Sequence, residues 1–335
     1  MRFSLSLPMQ YPMGDDLGQR FAGLLDMVRL ARQAGFHHLS ASQHYLATPF
    51  QYLQPVPVLA RVAAEAGEMT LGTGIMLLAL QQPVDVAESM ATLDVICGGR
   101  LVFGVGLGYR DEEFDAFGIP KGQRLSRFLE ALEVVKRLWT EEQVTFHGKH
   151  VHLDNVSLTT RPLQKPRPPV VVAASNDKMI QRAARLGDAW SIAGHATLAT
   201  LEKQVALYRA TLEAAGKPFP PPRFSLGREL YIARDMDTAL REALPYIATK
   251  YAAYAQWGQD TVMPAGETFH LPIEELRQDR FIVGDPEYCI AQIDLHRERL
   301  GIQQMGFRLH CPGMSHQRVL QAIELLGERV LPHFA

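Results

Sequence analysis

The feature that most constrains this chain is a regular alternation of short β-rich runs with longer segments of helical period. Strand candidates fall at Phe3–Leu7, Phe36–Ala41, Met69–Ile75, Leu101–Val105, Val170–Ala174, Ala189–Ile192, roughly Phe224–Ala233, and Met305–His310. Between them lie amphipathic stretches. The first carries Phe21, Leu24, Leu25 and Val28 on one stripe and stops at Gly35. The clearest carries Leu125, Phe128, Leu129, Leu132, Val135 and Leu138. Apolar residues three and four apart share one face of a helix. Parallel neighbours need a crossover of a dozen or more residues, and these segments have that length. Eight such units predict an α/β fold, a (β/α)8 TIM barrel, although an open doubly wound sheet shows the same local alternation.

The chain is longer than a minimal barrel, and most of the surplus lies between the last two strands. The fold expected is therefore one barrel domain over 1–335 with insertions. The largest, about 237–300, is read as helical and rich in aromatics such as Tyr251, Tyr254, Trp257 and Phe269. A smaller insertion, Gln143–Phe146 and His150–Leu153 around Gly148, reads as a β-hairpin.

Bulk composition excludes several function classes. A net charge of −2 and the absence of any Lys/Arg block argue against nucleic acid as a partner. No stretch approaches the roughly 18 apolar residues of a membrane span, and the first eight residues are too short a run for a signal peptide. Cys97, Cys289 and Cys311 are widely spaced, which fits a reducing compartment, so a cytoplasmic protein is expected. His147, His150 and His152 sit together in the hairpin without a carboxylate or thiol at matching spacing, so no metal is expected. There is no P-loop and no G-x-S-x-G nucleophile elbow.

The residues left to carry chemistry cluster at predicted strand ends, which in a barrel form the active-site mouth. Gly104-Val105-Gly106-Leu107-Gly108-Tyr109 follows the fourth strand. A dinucleotide fingerprint needs glycine where Tyr109 stands, so the better reading is a low wall that lets a flat ring approach the backbone. Gly72-Thr73-Gly74-Ile75 offers a second such wall. Ala173-Ala174-Ser175-Asn176 leads into a helix, where free N–H groups suit a phosphate, though ordinary capping explains the same letters. His44, just past the second strand, could serve as a general base near neutral pH. Arg228 and His310, near the last two strands, are candidate substrate contacts.

Three ordered motifs then give the chain a resemblance to the bacterial luciferase-like flavin-dependent monooxygenase family. The first runs from Thr92-Leu93-Asp94 through Gly98-Gly99-Arg100-Leu101 to Gly104-Val105-Gly106, and on to Glu112-Glu113-Phe114 and Phe117-Gly118. The second joins Lys165-Pro166-Arg167-Pro168-Pro169 to Ala183-Ala184-Arg185-Leu186-Gly187-Asp188-Ala189-Trp190. The third pairs Val283-Gly284-Asp285-Pro286-Glu287 with Pro312-Gly313-Met314.

The resemblance implies a barrel holding FMN in its reduced form, supplied by a separate flavin reductase. It also implies O2 addition at the flavin C4a position and oxidation of a small organic substrate, in a homodimer. By position, Gly74-Ile75 matches a cis non-prolyl peptide beneath the ring. Gly106 matches a cysteine of the luciferases, with Gly108 and Tyr109 beside it. Ala174, Ser175 and Asn176 match the phosphate region, and His44 the proposed catalytic base. The chain departs from the luciferases at Leu107, where they carry an arginine, and at Ala174, where they carry an acidic residue. Relatives that bind a deazaflavin coenzyme (F420) and transfer hydride give a second expectation, and a non-catalytic flavin-binding protein a third.

Overall fold

The computed structural model describes Met1–Ala335. Eight parallel strands close into a ring: β1 Arg2–Ser6, β2 His38–Ala41, β3 Thr70–Thr73, β4 Leu101–Gly106, β5 Val170–Ala174, β6 Ala189–Ile192, β7 Ser225–Ile232 and β8 Gln304–Arg308. Closure is direct: β8 pairs with β1 through Phe3↔Met305 and Leu5↔Phe307. The chain's first and last strands are thus neighbours, and residues near both ends build one ring. This is the expected (β/α)8 barrel.

Helices start and stop where the sequence offers caps. Asp16 accepts from the Gly18 and Gln19 amides at the head of Leu17–Gln33, and Asp285 accepts from the Tyr288 amide at the head of Pro286–Leu300. Such side chains satisfy donors that the first helical turn leaves free. Asp94, from the first motif, is buried. Its carboxylate accepts from the Leu101 and Gln164 amides and from the Gln164 side chain, tying the start of β4 to the segment that leads into β5.

Alternation along the strands sends large apolar side chains outward. Phe3, Leu5, Leu39, Phe103, Val105, Val172, Met305 and Phe307 are buried between the sheet and the surrounding helices. Many inward positions are small or polar: Ser4, Ser6, Ser40, Gly104, Gly227 and Gly306. Barrel interiors are usually filled by layers of branched residues. Here the small inward set lets the mouth cavity continue down the axis.

The insertion between β7 and β8 is not wholly helical, which corrects the sequence reading. Besides the helices Met236–Gln256 and Pro286–Leu300 it contains a strand, Phe281–Gly284, parallel to β7. The cause is the length of β7. Its Ser225–Glu229 half pairs with β8, and its Glu229–Ile232 half would have no partner on that side without the extra strand. The predicted hairpin forms as a separate ribbon, Val144–His147 with His152–Val156. A second ribbon, Gln10–Pro12 with Phe50–Tyr52, is too short to show in the sequence pattern. No helix is long and apolar enough to cross a membrane.

Candidate active site

A cavity of about 370 Å³ opens at the carboxyl ends of the strands. Its floor on one side is the β3–β4 seam. The Gly74–Ile75 peptide is cis. The Thr73 hydroxyl donates to the Gly104 carbonyl at 2.6 Å and accepts from the Gly104 amide at 3.0 Å, locking the two strand ends together. At Gly106 a Cβ would come within 2.7 Å of Ile75 Cδ1. Any side chain there would fill the shelf above Ile75, so the missing one is what leaves a flat bed. Gly108 and Tyr109 extend this wall.

Next along the rim, Ala174, Ser175 and Asn176 lie where β5 passes into the helix Asp177–Leu186. Asn176 caps that helix by accepting from the Met179 amide at 3.1 Å. The first-turn amides give this helix end a partial positive charge, which attracts anions. Arg124, which the sequence reading passed over, lines the same cavity, and its buried Nη1 has no hydrogen-bond partner. A buried guanidinium nitrogen without an acceptor costs free energy unless a ligand supplies one. Arg124 opens the long helix Arg124–Thr140, so only the fold reveals its direction.

His44 stands on the opposite rim. Its Nδ1–H donates to Glu113 Oε1 at 2.9 Å, and the same oxygen accepts from the Tyr45 amide at 3.0 Å. Glu113 is fully buried, and its second oxygen has no partner. This fixes the imidazole so that Nε2 is free for chemistry. The ring sits among Tyr52, Tyr109 and Trp257, with centroids 5.4, 5.8 and 5.4 Å away. Arg110 covers Trp257 at 4.4 Å and donates to the Tyr45 and Leu46 carbonyls. Trp257 and Tyr254 come from the insertion, and Tyr254 lines the cavity. Other insertion aromatics, Tyr251, Phe269 and Phe281, pack together in the core. The insertion is thus part wall and part outer packing.

The far wall belongs to β7 and β8. Lys250 Nζ donates to both oxygens of Glu229 at 3.1 Å, and Arg308 Nε lies 3.6 Å from Glu229 Oε1. Burial alone would pull the Lys250 ammonium down, yet the Glu229 carboxylate holds its pKa above the ordinary value. His310 also lines the cavity. Burial, then the charges of Lys250 and Arg20, push its pKa down to about 3, which leaves it neutral. His195 is likewise held well below its ordinary value, by burial first and then by Arg308 and Lys250.

Arg228 is the sequence candidate that fails. It is fully buried, and its guanidinium donates to the Gly194, Ala196 and Asp279 carbonyls and to His296 Nε2. Strand parity explains this: Gly227 lines the cavity, so Arg228 points to the outer face. It braces loops and does not reach the chamber. The remaining candidates, His44, Gly74, Ile75, Gly106, Gly108, Tyr109, Ala174, Ser175, Asn176 and His310, share the one cavity.

These features fit a flavin-type group: a side-chain-free bed for a planar ring, and an anion end with an unpartnered arginine. The family model for luciferase-like monooxygenases matches residues 1–304 of the chain. An F420-dependent glucose-6-phosphate dehydrogenase of Nakamurella multipartita is 26% identical, covering 92% of this chain and 91% of its own length. An F420-dependent hydroxymycolic acid dehydrogenase of Mycobacterium tuberculosis is 29% identical over 92% of this chain and 83% of its own length. Among solved structures, the monooxygenase RslO1 from Streptomyces bottropensis superposes with a TM-score of 0.90 at 28% identity, and both chains are covered completely.

Proposed function

The chain belongs to the luciferase-like monooxygenase family, an oxidoreductase family, and we propose that it is an FMN-dependent monooxygenase acting on a small organic substrate. Reduced FMN would come from a separate flavin reductase, O2 would be the co-substrate, and the working form would be a homodimer. The observation that carries this reading is the anion end of the cavity. Arg124 with its unpartnered Nη1, and the capped helix start at Ser175–Asn176, suit the dianionic phosphate that terminates FMN. Arg124 thereby takes over the positive charge that Leu107 does not supply.

Gly106 and Ile75 would seat the ring. The flavin, when bound, supplies the electrons and the activation of O2, chemistry that side chains lack. The chain's own part is positioning, water exclusion and proton handling. Tyr52, Tyr109 and Trp257 shield His44 from bulk water. His44, held by Glu113, would move a proton at Nε2 to the oxygen atom that leaves as water.

A second reading is F420-dependent hydride transfer, favoured by the two F420-dependent relatives that align over nine-tenths of this chain. Titrating the full-length protein with each cofactor, followed by quenching of cofactor fluorescence, separates the two. FMN binding at micromolar concentration or tighter with weak F420 binding supports the oxygenase. Tight F420 binding without FMN affinity overturns it.

A further inference from the structure

The proposed chemistry needs the cofactor bed, the anion end and His44, and it leaves the far wall without a task. That wall holds more positive charge than it neutralises. Lys250 and Arg308 face a single carboxylate, Glu229, and both Glu229 oxygens are already taken by Lys250. Arg308 approaches that carboxylate only through Nε at 3.6 Å, and its buried Nη1 has no acceptor. The two histidines nearby are held neutral, so neither changes the charge balance of this wall.

The geometry also brings the guanidinium to the edge of the cavity. Register places Glu229 beside Arg308 and Gly227 beside Gly306. A Cβ on Gly227 would sit 3.1 Å from Arg308 Nη1, so the glycine is what lets the guanidinium lie across the lumen. The Arg308 side chain is 24% exposed, and it lines the cavity. In a closed ring of eight, β8 lies diametrically across from β4, which carries Gly106. Tyr52, Tyr109 and Tyr254 line the cavity as well and offer flat apolar contacts.

We propose that Arg308, supported by Lys250, is the specificity-determining anchor for a substrate that carries a carboxylate on a flat, apolar body. The carboxylate takes the free side of the guanidinium fork, and the body extends across the mouth toward the Gly106 bed. A planar fork that matches two carboxylate oxygens is the strong form of charge-assisted bond. The inference rests on reading this cavity as the joint cofactor and substrate chamber.

The test uses 2-naphthoate and its uncharged counterpart 2-naphthamide, titrated calorimetrically into full-length protein with and without saturating FMN. Naphthoate is expected to bind at least roughly tenfold more tightly than the amide. Arg308→Met is expected to remove that preference while FMN quenching stays within about twofold, and Arg308→Lys to restore part of it. Glu229→Gln moves the result the other way. Losing the competing carboxylate raises naphthoate affinity, by about threefold or more, and a misfolded variant could not show that gain. Equal binding of acid and amide by the unmodified protein overturns the anchor, as does an unchanged preference in Arg308→Met. If FMN binds normally and the preference is absent, the anchor alone fails. If the preference holds and FMN does not bind, the anchor stands and the cofactor reading fails.

Discussion

Lys250→Met should cost about 3 kcal/mol of folding stability, and the figure follows from the geometry. The ammonium and the Glu229 carboxylate are 5% and 1% exposed, with both oxygens at 3.1 Å. Breaking one side of a buried ion pair typically costs about 3–5 kcal/mol, because the other charge stays in low dielectric without compensation. Here Arg308 Nε remains 3.6 Å from the carboxylate and can turn toward it, which sets the loss at the lower end. Guanidinium denaturation at neutral pH measures the loss.

The double variant Glu229→Gln, Lys250→Met should be less destabilised than Lys250→Met alone, since no carboxylate is then stranded. The pH dependence has a definite sign. Lys250 has its pKa raised in the folded protein, so its contribution is complete below the unfolded value of about 10.4 and is lost as pH rises through the folded value. The stability gap between wild type and Lys250→Met should therefore be flat at neutral pH and close only in strong alkali. If the two single losses add to the double within about 0.5 kcal/mol, the residues do not act as a pair and the reasoning fails.

Other consequences are open to direct measurement. Arg124→Met should weaken FMN by roughly tenfold to a hundredfold and leave riboflavin, which lacks the phosphate, unchanged; equal losses for both would remove the phosphate assignment. His44→Ala should cut turnover by about 10²–10⁴-fold with FMN affinity nearly unchanged. Glu113→Gln should cut turnover by about tenfold in wild type and have no further effect on His44→Ala, because its part is to hold the imidazole. Arg228→Met should lose roughly 3–5 kcal/mol in denaturant, since it strands three backbone carbonyls, while FMN affinity stays within about twofold.

Local pattern reveals the parts of this molecule that depend on local pattern. The eight strands are legible because their outward faces are mostly apolar and are bounded by caps and glycines, as at Leu101–Gly106. The bed at Gly74 and Gly106 is legible because glycine at a strand end is itself the signal. Arg228 lies on the seventh strand, as expected, but placement on a strand does not give the face: Gly227 faces the cavity, so Arg228 faces outward. Arg124 could not be found this way. It is one arginine among many in the chain, and only the docked helix shows where Nη1 points. The Glu229–Lys250–Arg308 cluster joins three elements far apart in sequence, and no periodicity links them.

That difference follows the division of labour around the mouth. The cofactor side uses β3, β4 and β5, where the backbone itself does much of the work through missing side chains and free amides. Such a surface suits any flat, phosphate-bearing coenzyme, FMN and F420 alike. The substrate side uses β7, β8 and the insertion that joins them, where long charged and aromatic side chains do the work. Their positions depend on packing: Tyr254 lines the chamber and Trp257 packs on His44 only because the helix Met236–Gln256 lies over the rim, and that helix is held by the extra strand Phe281–Gly284 and the buried Tyr251–Phe281 contact. Changes in the insertion should therefore alter which substrate is accepted without altering which cofactor binds, whereas changes at Gly106 or Arg124 should do the reverse.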